Sequence, residues 1–561
     1  MTLNSFRMAV CKKIYRFGVL CSGFSLPLWQ AEVITHLMND GHEPVVLIIE
    51  DRPPSPPVSS REKWRRYTGK NALYNLFERF VMEVPGKSPV EMHETLRNAE
   101  VIRVVPEKRG SSHFFREEDI ARIKMCAPDF LLRFGFNILR GAILEVAPLG
   151  IWSYHHDDEM EYRGGPPAFW EIFHGDAVTG VILQRITERL DGGIILKKGY
   201  FKTTDHSYSG NLDRVLHRAV AWPAQVCRQL KEGAMTFPEE PSPSRAPLYK
   251  RPGNGQMLRF LMLKARNKCA FHYEDLFEAE RWNILLLKRE QWGVTELSGT
   301  RMPLPTAPKH HFYADPFMVR EGDTLHILFE DYDHQKGRGD IGYWAYDIHS
   351  GRIVRETIAL RLDSHLSYPF MIAHEQRIYC LPETSQLGTV RLYELDRSSG
   401  NLIFRSVLLD FPGVDPTLFF HEGTWWLFCT HSEAANEELY LFYASTIDGY
   451  YAPHKGNPIK TDIRGARPAG KIFQKDGRIY RPGQVNPVTY GGGIAFFEIT
   501  SLTPNSYKEE LISAVVPGKE RGFTKGIHTW CEEEGYLIAD GKEYGVDRYH
   551  FRSRLKQKIG R

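Results

Sequence analysis

At 561 residues the chain exceeds what one ordinary core holds, so two or three domains are expected. Apolar residues make up 42% and charged residues 25%, the balance of folded globular protein, which excludes long disorder. A net charge of +3 is too small for a dedicated nucleic-acid binder, so no nucleic-acid partner is expected. The eight cysteines are scattered and form no CxxC pair, which argues against a zinc site or a disulfide framework and for a reducing cytoplasm. No apolar run approaches the roughly 20 residues that span a bilayer. The opening MTLNSFRMAVCKKIYRFGVL also lacks the order of a signal peptide. A soluble cytoplasmic chain without a transmembrane segment is the expectation.

In the first half, FGVLC (17–21) reads as a strand, followed by a Ser-Gly loop and a helix through about Met38. GHEPVVLII then supplies a turn and a second buried strand, and RNAEVIRVV and PDFLLRFGF supply two more. Strands separated by helices imply βαβ units and a mainly parallel sheet. Ligands of such sheets sit beyond the carboxyl ends of the strands. SYHHDDEMEYRGGPPAFW (153–170), which follows GIW, belongs at such an end and combines two histidines and two aspartates with a Gly-Gly-Pro-Pro turn. A histidine there can move protons near neutral pH while carboxylates tune it. For His156, Asp157 and Asp158 a functional reading and a solvated-loop reading stand side by side. No further spaced ligand accompanies them, so no metal is expected. Downstream, Asp191 precedes two glycines, and a carboxylate on a Gly-permitted turn approaches a ligand closely.

The prolines, glycines and serines of TFPEEPSPSRAPLYKRPGNG (236–255) mark a linker. QMLRFLMLKARNKCAF reads as a short basic amphipathic helix, suited either to docking the halves together or to an anionic lipid surface.

The second half repeats. FYADPFMVREGDTLHILFED, LSYPFMIAHEQRIYCLPETS, GVDPTLFFHEGTWWLFCTHS, GARPAGKIFQKDGRIYRPGQ and KGIHTWCEEEGYLIADGKE each place a polar head before a strand, a tight turn and a second strand. The heads are Asp315, Tyr368, Asp415, Arg467 and His528, spaced 53, 47, 52 and 61 residues apart. A β-rich period near 50 implies a propeller, here of five blades, with WNILLL (282–287) completing the last. The heads should then converge at one mouth of the channel, near Glu330 and Glu383, as a polar cluster for hydroxyl-rich or charged ligands.

Two resemblances sharpen these readings. GIWSYHH, EYRGGPPAFWEIFHGDAVTGV and RLDGG, in that order, resemble the 10-formyltetrahydrofolate-dependent formyltransferases of methionyl-tRNA, glycinamide ribonucleotide and amino sugars. The resemblance implies a Rossmann-like formyltransferase fold with His155 and Asp191 as catalytic residues, and Ser153 where the family has asparagine. It implies folate near RFGFNILRG, at Ile138 and Leu139 with Asp191, and substrate near Ser22, Gly23 and Arg163, within an early loop of about Ser22 to Leu28. The YADPF and VDPT heads resemble arabinanase- and invertase-type propellers, which place an acidic Glu in the fourth blade where Arg467 stands here. The pattern is also similar to the propeller of glucosamine inositolphosphorylceramide transferases.

The expected organisation is an α/β formyltransferase-like domain at 15–232, a linker and connecting helix at 233–278, an all-β five-bladed propeller at 279–550 and a basic tail at 551–561. The expected function is transfer of a formyl group from 10-formyltetrahydrofolate to a small-molecule amine, an amino sugar or nucleotide sugar. The alternatives are a carbohydrate-binding protein with a degenerate formyltransferase domain, or glycosyl transfer or hydrolysis through the propeller carboxylates. Substrate contacts in the second half would come from Asp315, Tyr368, Glu383, Asp415, Arg467 and His528.

Overall fold

The computed structural model describes residues 13–51, 68–189, 192–290, 297–518 and 524–559. Asp191 lies outside the described residues. The chain divides into two compact units: the first runs to Lys268 apart from Tyr200–Lys202, and the second takes those three residues and Cys269 onward.

The first unit is built on a seven-stranded mixed sheet. Its order is Ile194–Lys202, Val178–Arg185, Ile151–His155, Phe130–Arg133, Arg16–Cys21, Glu43–Glu50, Glu100–Val104. The last five pair in parallel, while Ile151–His155 meets Val178–Arg185 antiparallel. Parallel strands are covered on both faces, which is why RFGVLC is buried from its second residue to its last. The helix Leu28–Asn39 starts directly after Pro27, whose missing N–H costs a helix start nothing, and buries Trp29, Val33, Ile34 and Leu37. Ser153 and His155 occupy the carboxyl end of their own strand, and the loop begins only at His156.

Three boundaries differ from the sequence expectation. Ser25–Pro27 pairs with Pro89–Glu91, so the early loop is shorter than Ser22 to Leu28. The basic helix runs from Asn254 to Phe277, longer than its apolar pattern indicated. Residues 551–559 of the basic tail expected at 551–561 are helical, within Arg548–Ile559, and the last two residues lie outside the described ones. Among the described residues, no helix is long and apolar enough to cross a membrane.

The second unit contains five antiparallel sheets among the described residues. Their leading strands are Ala279–Lys288, His311–Glu321, Ser367–His374, Gly413–His421 and Arg464–Pro468. Two-residue turns with both φ values positive join strand to strand at Glu375–Gln376, Glu422–Gly423, Asp476–Gly477 and Glu534–Gly535. Such turns match the right-handed twist of a hairpin. WNILLL lies inside Ala279–Lys288, which pairs along its whole length with Tyr536–Gly545, so the unit's first long strand is zipped to its last. The core beneath is dry and aromatic, with Trp344, Phe317, Tyr368 and Ile327 fully buried.

Candidate functional site

Three of the five repeat heads sit where their ladders slip. The register shifts between Ala314 and Phe317, between Ser367 and Phe370, and between Val414 and Thr417. Inside those slips Asp315, Tyr368 and Asp415 adopt φ of 50°, 41° and 51°, each directly before a proline. A bulge of this kind re-aims one side chain out of the pleat. Holding a residue with a Cβ in that region costs roughly 1–2 kcal/mol. The same strain at equivalent places in three sheets marks a site that the surrounding structure enforces.

The side chains so aimed share one buried network. Asp315 accepts from the Thr529 hydroxyl at 2.8 Å and from the Tyr368 backbone N–H at 3.2 Å. His528 stands between two carboxylates, its Nε2 3.4 Å from Asp315 and its Nδ1 2.6 Å from Asp540. The Tyr368 hydroxyl accepts from Gly470 N–H at 2.8 Å and meets the Thr417 hydroxyl at 2.9 Å. Asp415 is gripped by Arg467 through Nε at 2.6 Å and Nη2 at 3.1 Å, and by the Gln484 amide at 2.9 Å. Glu383 lies 3.8 Å from Arg467 Nη2 and accepts from Ser385 at 2.7 Å.

Exposure divides this network into a floor and a lip. Asp540, Asp415, His528 and Asp315 are sealed, whereas His365 is 27% exposed, Arg467 13% and Glu383 11%, with Glu330 beside them 3.8 Å from His365. Tyr490 is half-buried, its ring 5.0 Å from the Arg467 guanidinium. Charge follows the same division. Burial opposes ionisation of Asp540, yet His528 holds its carboxyl below the usual range. The imidazole of His528 is raised in return, because Asp540 and Asp315 outweigh its desolvation. Burial pushes Asp415 up to about 6 against the pull of Arg467. Glu330 goes furthest, raised well above the usual range by burial and then by the Asp315, Glu383 and Asp415 charges. The lip therefore carries a carboxyl whose ionisation burial opposes, Glu330 near His365, while the Arg467 guanidinium is held by Asp415.

Asp315, His528 and Asp540 also offer one ligand atom each within 4.8 Å of one another, the geometry of a possible metal group. Two ligands bonded tetrahedrally at about 2.0 Å stand roughly 3.3 Å apart. The Nδ1–Oδ2 separation of 2.6 Å is shorter, an ion-pair contact between imidazole and carboxylate.

Sequence reasoning missed Asp540, Thr529, Gln484, His365 and Tyr490. The repeat comparison followed the heads, and these residues lie on second strands or loops with no shared spacing. Asp540 alone had a visible signal, standing in the IADG of the last unit.

The first unit holds a second cleft, of about 160 Å³, lined by Arg133, Ile138, Leu139, Ser153, His155 and Gln184 among others. Ser22, Gly23 and Arg163 are not among its lining residues: Ser22 is exposed, and Arg163 donates its backbone N–H to Pro247 at 3.3 Å. Ser153 accepts from Arg133 Nη1 at 3.2 Å, and His155 Nε2 lies 3.0 Å from the Tyr162 carbonyl. The solvated-loop reading of the next three residues is corrected. His156 is buried with its ring stacked on Tyr154 and met edge-on by Trp29, and desolvation takes its pKa down to about 3. Asp157 accepts from Ala168 N–H at 2.7 Å, and Asp158 meets Lys198 at 2.6 Å. Asp157 and the buried Glu171 are both raised by desolvation first; the Glu171 charge raises Asp157 further, while hydrogen bonds, one with Asp157, hold Glu171 back and the Asp176 and Asp158 charges raise it, to about 8.

Residues 281–535 match the family model described as glucosamine inositolphosphorylceramide transferase 1, N-terminal. Two relatives of that name are similar to this chain. The one from Oryza sativa subsp. japonica is 35% identical over 220 residues, 38% of this chain and 29% of the relative. The one from Arabidopsis thaliana is 34% identical over 264 residues, 45% of this chain and 33% of the relative. The chain thus spans about a third of the length of the curated relatives it matches. Among solved structures, glycinamide ribonucleotide transformylase 1 from Symbiobacterium toebii is 15% identical, covering 43% of this chain and 93% of that one, at a TM-score of 0.28. Zg3597, a family 117 glycoside hydrolase from Zobellia galactanivorans, is 12% identical, covering 48% and 91%, at 0.32. At such scores neither carries an argument.

These relatives correct the expected activity. Folate-dependent formyl transfer gives way, because the curated relatives are named for a transferase of glucosamine and inositolphosphorylceramide. The expected folate donor rested on that activity and is not carried forward.

Proposed function

We propose that this chain serves glycosyl transfer, its second unit acting as a five-bladed propeller that binds a sugar-bearing, inositol-phosphate-linked substrate at its lip. The observation that carries the reading is the meeting of all five repeat heads in one network whose lip presents His365, Glu330, Glu383 and Arg467. A hydroxyl-rich ligand needs donors and acceptors at close spacing, with an apolar face for its ring. His365 and Arg467 supply donors, Glu383 supplies acceptors, and Tyr490 supplies the face. The names of the relatives matched by residues 281–535 favour an amino sugar and an inositol-phosphate lipid as the partners.

Plain hydrolysis is the poorer fit. A hydrolase needs a carboxylate free to act as base or nucleophile. Both oxygens of Asp315 and of Asp415 already accept from protein donors. Both build the floor and Asp415 fixes Arg467, which leaves Glu330 as the carboxyl assigned to proton donation.

The test incubates the full chain with nucleotide-activated hexosamines and inositol-phosphate lipids and follows products by mass spectrometry. The expected result is a lipid heavier by one hexosamine, lost in Glu330→Gln and Arg467→Met. Free hexosamine alone, or no product with any donor, overturns the reading.

A further inference from the structure

The helix Asn254–Phe277 has two apolar faces, and the first unit uses only one of them. Met257 and Phe260 point inward and are fully buried. Phe260 stacks on Phe169 at 4.3 Å and meets Phe77 and Tyr208 edge-on, which fixes this first part of the helix to the first unit. Leu258, Leu261, Met262 and Ala265 follow the i, i+3, i+4, i+7 pattern of a single face. That second face is open: Leu258 is 54% exposed and Met262 67%. A helix resting on its own core ordinarily turns charge toward water there.

The charge beside this face has one sign. From Pro241 to Tyr273 the chain carries Arg245, Lys250, Arg251, Arg259, Lys264, Arg266 and Lys268, and no aspartate or glutamate. Arg259 and Arg266 are exposed along one border of the apolar face, and exposed Lys268 stands toward the other. We propose that this face of the helix docks on an anionic lipid surface, with Leu258, Leu261 and Met262 entering the headgroup boundary and Arg259, Arg266 and Lys268 meeting lipid phosphates. Apolar side chains edged by long cations, free of acids, complement such a surface in both hydrophobicity and charge. A second copy of the chain is a poorer occupant, because a two-fold contact would set these cations against themselves. The inference stands on this helix alone and is independent of the sugar site.

Sedimentation of the full chain with phosphatidylcholine vesicles, with and without phosphatidylserine, tests it. Binding is expected only to the anionic vesicles, weakening as salt rises. Leu258→Glu with Met262→Glu should reduce it at least about tenfold, and Arg259→Gln and Arg266→Gln about fivefold each. Light scattering and circular dichroism check that each variant keeps its assembly and fold. Equal binding to neutral vesicles, no sedimentation with anionic vesicles at low salt, or indifference to all four substitutions overturns the proposal. So does a wild-type dimer that the glutamates dissolve while vesicles bind nothing.

Discussion

Each unit buries acids, and one buried arrangement in each neutralises its charge by the opposite means. In the second unit Asp415 faces Arg467 and Asp540 faces His528, so charge is met by charge. In the first, Asp157 and Glu171 share a sealed space in which both are raised, so charge is met by protonation. A buried ion pair is rigid and directional, which suits a platform that must hold a guanidinium in place. A protonated pair fills its space without fixing a charge, and its cost depends on pH. Of the two, the second-unit network also opens to solvent at a lip.

The largest expected effect breaks the ion-paired network. Arg467→Met leaves Asp415 buried without its cation and should destabilise the second unit by about 3–5 kcal/mol. Urea unfolding followed by tryptophan fluorescence measures it, and adding Asp415→Leu should recover most of the loss. If the single variant is as stable as wild type, the pair does not hold the floor.

The protonated pair should show itself in pH dependence. Glu171 rises from an ordinary 4.5 to about 8, so across that interval the folded chain keeps a proton that the unfolded chain has lost. Its stabilising effect is complete below about pH 4.5, declines by about 1.4 kcal/mol per pH unit as pH rises, and is gone above about 8. Glu171→Gln should flatten that slope by one proton, read from urea midpoints between pH 5 and 8. Arg467→Met should instead add to the slope, because Asp415, already raised to about 6, rises further without its cation.

The smallest effect sharpens the floor. Tyr368→Phe removes the acceptor of Gly470 N–H and the partner of Thr417, leaving a buried donor unpaired. A loss of about 1–2 kcal/mol in the urea midpoint is expected, with the same effect at pH 5 and pH 8.

The repeat heads were legible because antiparallel sheets recur along the second half at a period near 50, and each head that precedes a proline carries a local mark as well. Their positive φ values were not legible, since only glycine advertises that backbone in a sequence and these are Asp and Tyr. Asp540 escaped because its role depends on the approach of two strands rather than on spacing within one repeat. In the first unit the strand order of motifs placed Ser153, His155, Ile138 and Leu139 at one cleft. Dense polarity in HHDD nevertheless read as an option for solvent, although Trp29, Tyr154 and Lys198 draw those side chains inward. The motif order also implied an activity that the curated relatives of the chain replace with another.

Sugar recognition at the lip is the claim most directly open to measurement. Isothermal titration calorimetry of the full chain with glucosamine and with glucosaminyl inositol phosphate should give saturable binding to wild type. Glu383→Gln and Arg467→Met should weaken that binding at least about tenfold, as expected when a hydrogen-bonded charged contact is removed, while Glu171→Gln leaves it unchanged. Wild-type binding that survives both lip substitutions, or that responds to Glu171→Gln instead, would contradict the claim that the second unit holds the sugar.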